Sequence, residues 1–202
     1  EKKHVLKEWC DFLSGNTTVF TELSFATRMP QELFDAVCSQ KNLKKLHIKW
    51  GVYDDLSKIE NLEKLEYLSI GSGASVKSIE PITYLKKLVA LSVENFQKID
   101  DYSPFAQLKN LESLSIEGNG LAPKYIHVKS LEFLKDMNQL RFFRFLTARL
   151  KSKDYTPVLS LENIEHLTLR PCREVKAVYD DIVKLPNLKY GLLKDKPELY
   201  KK

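Results

Sequence analysis

A six-residue pattern returns along this chain at a nearly constant interval. The segments FTELSF at Phe20, LKKLHI at Leu43, LEYLSI at Leu65, LVALSV at Leu88, LESLSI at Leu111, LRFFRF at Leu140 and IEHLTL at Ile164 start 23, 22, 23, 23, 29 and 24 residues apart. A degraded copy, LKYGLL at Leu188, follows 24 residues later. Seven units keep an apolar residue at places one, four and six. A unit this short cannot bury its apolar face alone, so such repeats stack side by side and share one continuous core, each touching mainly its neighbours.

Within each unit the alternation reads as a short strand, whose side chains point to opposite faces in turn. Place four is expected to build a buried column of Leu46, Leu68, Leu91, Leu114, Phe143 and Leu167, with a second column of Ile48, Ile70, Val93, Ile116, Phe145 and Leu169 at place six. Places three and five then face solvent on the concave side. Place three carries Glu22, Lys45, Tyr67, Ala90, Ser113, Phe142, His166 and Tyr190, and place five Ser24, His47, Ser69, Ser92, Ser115, Arg144, Thr168 and Leu192.

The stretch LESLSIEGNGL at residues 111–121 resembles the leucine-rich repeat, L-x-x-L-x-L-x-x-N/C-x-L. The connectors LSKIENLEKL, IEPITYLKKL and DDYSPFAQLKNL resemble those of the internalin-like and phosphatase-regulatory-subunit-like short-repeat class. The resemblance spans about residues 18–193. It implies an α/β leucine-rich repeat solenoid, with a curved parallel sheet on the concave side and short helices and turns on the convex side. It also implies a non-catalytic interaction module, whose partner could be a regulated phosphatase-like enzyme, a host protein, or a toxin or effector being neutralised. At the ninth place, where asparagine or cysteine is usual, only Asn119 and Cys172 keep the consensus, while Arg28, Gly51, Gly73, Phe96 and Ala148 depart from it. The asparagine ladder is therefore expected to be broken, with Gly51 and Gly73 turning the chain through positive φ.

Solenoid ends need caps. Val5, Leu6, Trp9, Phe12 and Leu13 form a stripe of helical period ending near Gly15, so residues 1–17 are expected to be a capping helix, with a membrane-surface helix as the alternative. Residues 18–193 are the repeats and 194–202 a polar tail beyond a closing edge at Gly191. The segment MPQELFDAVCSQKN predicts a convex helix after Pro30 with Cys38 in the core. The long spacing after Leu111 predicts a loop, then a second convex helix over about 129–137.

Lys and Arg number 32 against 27 Asp and Glu, a net charge of +5 that falls short of a dedicated nucleic-acid binder. No apolar run approaches the roughly 18 residues that span a bilayer. Three cysteines without a C-x-x-C pair predict neither a disulfide framework nor a thiolate metal site. The charged opening EKKHVLKEWCDFL is unlike a secretory leader. A soluble, cytoplasmic monomer is expected, with export left open because the first residue is not Met.

The concave face offers a small hydroxylated floor between two shoulders of large residues. One shoulder holds Lys45, His47, Trp50 and Tyr67, the other Phe142, Arg144, His166, Arg170 and Tyr190. Trp, Tyr and Arg dominate binding energetics in desolvated contacts, so these nine residues are the expected partner-binding set. His47 beside Ser69 lacks an orienting carboxylate, and no G-x-S-x-G, phosphate loop or metal spacing is present, so neither catalytic residues nor cofactors nor metals are expected. The alternative partner is RNA or DNA, contacted by the basic and aromatic stretch RFFRFLTARLKSK at 141–153.

Overall fold

The structure, a computed structural model, describes residues 2–122 and 124–201. Among the described residues nine strands occur in chain order: β1 (Glu22–Met29), β2 (Lys45–Gly51), β3 (Tyr67–Ile70), β4 (Ala90–Glu94), β5 (Ser113–Glu117), β6 (Ile126–Val128), β7 (Phe142–Leu146), β8 (Ala148–Leu150) and β9 (His166–Leu169). Seven form one parallel sheet ordered β1-β2-β3-β4-β5-β7-β9, while β6 and β8 pair separately. The register aligns Leu46, Leu68, Leu91, Leu114, Phe143 and Leu167 across adjacent strands, with the place-six residues aligned beside them. Both columns are buried, as the repeat phase requires.

What covers the other side of the core follows from spacing. In the central units buried residues recur every three positions, as in Leu56, Ile59, Leu62 and Leu65, or Leu131, Leu134, Met137 and Leu140. A period of three puts side chains on one face of a 3₁₀ turn, which has three residues per turn, and not of an α-helix. The connectors accordingly form 3₁₀ turns at Ser57–Asn61, Glu80–Tyr84, Ser103–Gln107, Glu132–Asp136 and Thr156–Ser160. The second convex helix expected over 129–137 is thus a single 3₁₀ turn.

Where the spacing mixes three and four, true helices appear. Helix α1 spans Lys2–Gly15, α2 spans Gln31–Val37, α3 spans Arg173–Ile182 and α4 spans Leu192–Asp195. In α2, Phe34, Val37 and the adjoining Cys38 are buried, as expected. Helix α3 buries Val175, Tyr179 and Ile182, a helical spacing that the six-residue strand pattern does not reveal.

Turns after the strands differ from expectation. Gly51 and Gly73 do not adopt positive φ; that conformation falls one place earlier, on Ser72, Asn95 and Thr147. The two glycines are required for space instead. A Cβ at Gly73 would lie 2.0 Å from the Phe96 ring, and one at Gly51 would lie 2.6 Å from the Tyr53 ring.

An amide ladder does exist, at the opposite end of the strands. The side chains of Asn42, Asn110, Gln139, Asn163 and Asn187, each just before place one, donate to the backbone carbonyls of Thr18, Lys86, Leu108, Asn138 and Glu162 in the preceding unit, at 2.8–3.2 Å. Each amide thereby ties one repeat to the last. Asn163→Ala is expected to cost about 1 kcal/mol, a fall of roughly 2–4 °C in melting temperature for a chain this size. Calorimetry of that variant beside Asn61→Ala, whose side chain makes no hydrogen bond among the described residues, checks the assignment.

The caps are unequal. At the N-terminus only Leu13 of the α1 stripe enters the core, while Val5, Trp9 and Phe12 are exposed. The helix is held by its C-terminal end: the buried Gln40 amide donates to the carbonyls of Leu13 (2.8 Å) and Asn16 (2.9 Å), and Ser39 Oγ donates to that of Leu13. At the C-terminus the closure is deeper. The segment 194–202, set apart above as a tail, contains Tyr200, which is buried, donates its hydroxyl to the carbonyl of Leu169 and stacks on Tyr179 at 5.4 Å.

Candidate functional site

The concave face is built by the residues that alternate with the core columns. Across β1 to β7 they line an open groove of about 770 Å³ that includes Glu22, Ser24, Lys45, His47, Tyr67, Ser69, Ala90, Ser92, Ser113, Ser115 and Phe142. Four residues of the expected set, Lys45, His47, Tyr67 and Phe142, therefore meet around one floor of serine and alanine. Small side chains there keep the sheet surface low between Tyr67 on β3 and Phe142 on β7. Three strand steps separate β3 from β7, roughly 14 Å between strand axes at about 4.8 Å per step.

Both walls are held by neighbours. The Lys45 ammonium lies 2.8 Å from a Glu22 oxygen and 5.5 Å from the centre of the Tyr67 ring. The hydrogen bond from Lys45 to Glu22, then their mutual charge attraction, raises the lysine pKa. Phe142 stacks on His166 with ring centres 4.5 Å apart, and His166 Nε2 is 3.1 Å from Thr168 Oγ1. Burial first, and then the Arg144 charge, lower the His166 pKa against an opposing pull from Asp195.

The other five expected residues stand outside the groove lining. Arg144 points at the rim, where its Nε is 3.0 Å from Glu117, whose same oxygen accepts from Ser115 Oγ at 2.7 Å. Glu94 lies beside Glu117 in register, and burial together with the Glu117 charge raises its pKa. Trp50, at the far end of β2 opposite Arg28, has the Lys49 ammonium 5.9 Å from its ring. His166 backs Phe142, and Tyr190 is exposed at the last bridge of the sheet. Arg170 turns away to Tyr125, with its guanidinium carbon 5.1 Å from the ring centre.

Tyr125 belongs to the insertion between β5 and β7, expected to be a loop. It is more ordered: Asn119 Oδ1 accepts from the N–H groups of Leu121 and Ala122, and β6 follows, pairing with β8. The long spacing signalled an insertion but not this pairing.

Three of the five basic side chains in the stretch 141–153 are paired, while Arg149 and Lys153 have no carboxylate within 4.0 Å among the described residues. Arg141 pairs with Glu165 and Glu112, Arg144 with Glu117, and Lys151 with Asp100 at 2.7 Å. Phe143 and Phe145 are buried, leaving Phe142 as its one partly exposed ring. His47 and Ser69 are cross-strand neighbours, but no side-chain hydrogen bond joins them among the described residues. Among those residues no cluster of three metal-ligating side chains occurs, and no helix is long and apolar enough to cross a membrane.

No protein-family model matches the sequence, and no curated protein is similar to it in sequence. Solved structures do resemble the fold. Internalin C2 from Listeria monocytogenes superposes with a TM-score of 0.55 at 23% identity, covering 92% of this chain and 91% of that one. A leucine-rich repeat protein from Leptospira interrogans gives a TM-score of 0.58 at 18% identity, covering 94% of this chain and 56% of that one. The parallel stack of seven strands, the 3₁₀ turns at repeat spacing and these two likenesses together make the chain a leucine-rich repeat solenoid.

Proposed function

We propose that this chain is a non-catalytic binding module that grips one protein partner in the concave groove between Tyr67 and Phe142. The observation that carries the reading is the stepped floor: Ser69, Ala90, Ser92 and Ser113 leave a trough between two aromatic walls. Strand axes roughly 14 Å apart, less the thickness of the two rings, leave room for one side-chain-bearing face of an α-helix, which is about 10–12 Å across in full. Lys45, already neutralised by Glu22, contributes its stem and orients Tyr67, while Phe142, braced by His166, offers a ring that loses little freedom on binding. Such rigid aromatic anchors are where interface energy concentrates.

The test is a Tyr67→Ala, Phe142→Ala double variant in an affinity pull-down from the native source, with cross-linking and parent protein in parallel. The partner captured by the parent is expected to be lost or weakened by at least tenfold, since two anchors of this kind each contribute about 2 kcal/mol or more. The melting temperature should fall only slightly, because both side chains are partly exposed. Equal capture by parent and variant rejects the groove as the binding site.

A further inference from the structure

The rim next to the groove carries two positive charges with no counter-ion. Among the described residues, neither Arg149 nor Arg170 has a carboxylate within 4.0 Å, although Arg144 on β7 is paired with Glu117. Their guanidinium carbons lie 5.0 and 5.1 Å from the centre of the same Tyr125 ring. Two like charges gathered at one ring repel each other. Contact with the ring quadrupole offsets part of that cost but consumes no N–H donor, so the planar forks remain free to hydrogen-bond.

Three separate segments hold the cluster. Tyr125 directly precedes β6, Arg149 is central in β8, and Arg170 follows β9. The β6–β8 pairing sets His127 against Arg149 and fixes their approach. Arg149 and His127 are exposed, while Tyr125 and Arg170 are half-buried. We propose that Arg149 and Arg170, positioned by Tyr125, form a carboxylate-binding site for an acidic segment of a protein partner, distinct from the concave groove.

Charge distribution favours an acidic polypeptide over a nucleic acid. The neighbouring Lys129 and Lys151 are taken by Asp101 and Asp100, and Glu94 and Glu117 occupy the same rim on β4 and β5. A phosphate backbone would need a continuous positive track. Two guanidiniums without counter-ions can each offer a planar fork to one side-chain carboxylate in bidentate fashion, which needs no continuous positive track.

Fluorescein-labelled hexaglutamate titrated with the full chain at low salt, read by anisotropy, tests the site. Arg149→Gln combined with Arg170→Gln is expected to weaken binding about tenfold or more. Arg28→Gln with Lys41→Gln, which removes the same charge at the other end of the solenoid, should change it less than about twofold, because exposed charges beyond the screening length contribute little. Tyr125→Phe should bind like the parent, and Tyr125→Leu should lose affinity through disordered guanidiniums. The groove double variant, Tyr67→Ala with Phe142→Ala, should keep hexaglutamate binding, so failure of one site is separable from failure of the other. Equal weakening by both charge-removing pairs, absence of binding to the parent, or displacement of the peptide by a lower concentration of single-stranded oligothymidylate than of unlabelled hexaglutamate would overturn the proposal.

Discussion

Phe143→Ala is expected to lower stability by about 3–5 kcal/mol, the range for emptying a fully buried phenylalanine site, and hence the melting temperature by roughly 6–20 °C. Phe143 has no solvent exposure and stands in the place-four column between Leu114 and Leu167. Its ring also stacks along Phe145 at 6.2 Å. The cavity cannot close easily, because β5 and β9 are fixed on either side by the parallel ladder. In a solenoid each repeat touches only its neighbours, so the damage spreads through those two interfaces. Hydrogen exchange should show lost protection centred on β5, β7 and β9, with β2 and β3 least affected. Arg144→Gln, the adjacent residue on the opposite face, removes only a partly exposed ion pair and should cost less than about 1 kcal/mol. A melting temperature within about 2 °C of the parent for Phe143→Ala would mean that the column does not carry the fold.

Gly191→Ala should be nearly as damaging despite adding a single carbon. Gly191 has φ of +102° and ψ of 172°, a backbone region open almost only to glycine and costing other residues about 1–3 kcal/mol. The added Cβ would lie 2.1 Å from the Leu167 carbonyl oxygen, and backbone cannot swing aside as a side chain can. Overpacking of this sort costs about 1–3 kcal/mol more. The close approach is what lets the chain leave the sheet after Tyr190 and drop α4 over the core end, burying Leu193 and receiving the Tyr179 hydroxyl at the Leu193 carbonyl, 3.2 Å away. Limited proteolysis should cut the variant after about residue 190 faster than the parent. Gly120→Ala is the control: its Cβ would meet nothing within 4 Å, so stability should hold or rise slightly. Equal protease resistance of Gly191→Ala and parent would contradict this account of the closing edge.

These two positions also mark what can be read from residue order. Phe143 is legible as core because the repeat phase places it in line with five other apolar residues. Gly191 is legible as an interruption, but not as the hinge of a cap whose last plug is Tyr200. The α1 stripe shows the same limit: its helical period is plain, yet Trp9 and Phe12 stay exposed because the helix is secured through Gln40 at its C-terminal end. The groove was partly legible. Places three and five name its lining, and Lys45, His47, Tyr67 and Phe142 do converge. Arg144 stays on that face by register but pairs with Glu117 outside the groove lining, and Arg170, just past β9, packs on Tyr125.

By itself the sequence determined the repeat, the phase of each strand and the two core columns, because a 23-residue period with apolar residues at places one, four and six can be buried in essentially one way. Tertiary structure decided the charge pairing, the caps and the rim. Asp100 meets Lys151 across 51 positions, and Tyr125 meets Arg170 across 45, through register and turn geometry that arise only when the units stack. Burial patterns repeat along the chain and are therefore local signals. Ion pairs and ring contacts depend on which residues the stack brings within a few ångströms, and that distance is set by the whole fold.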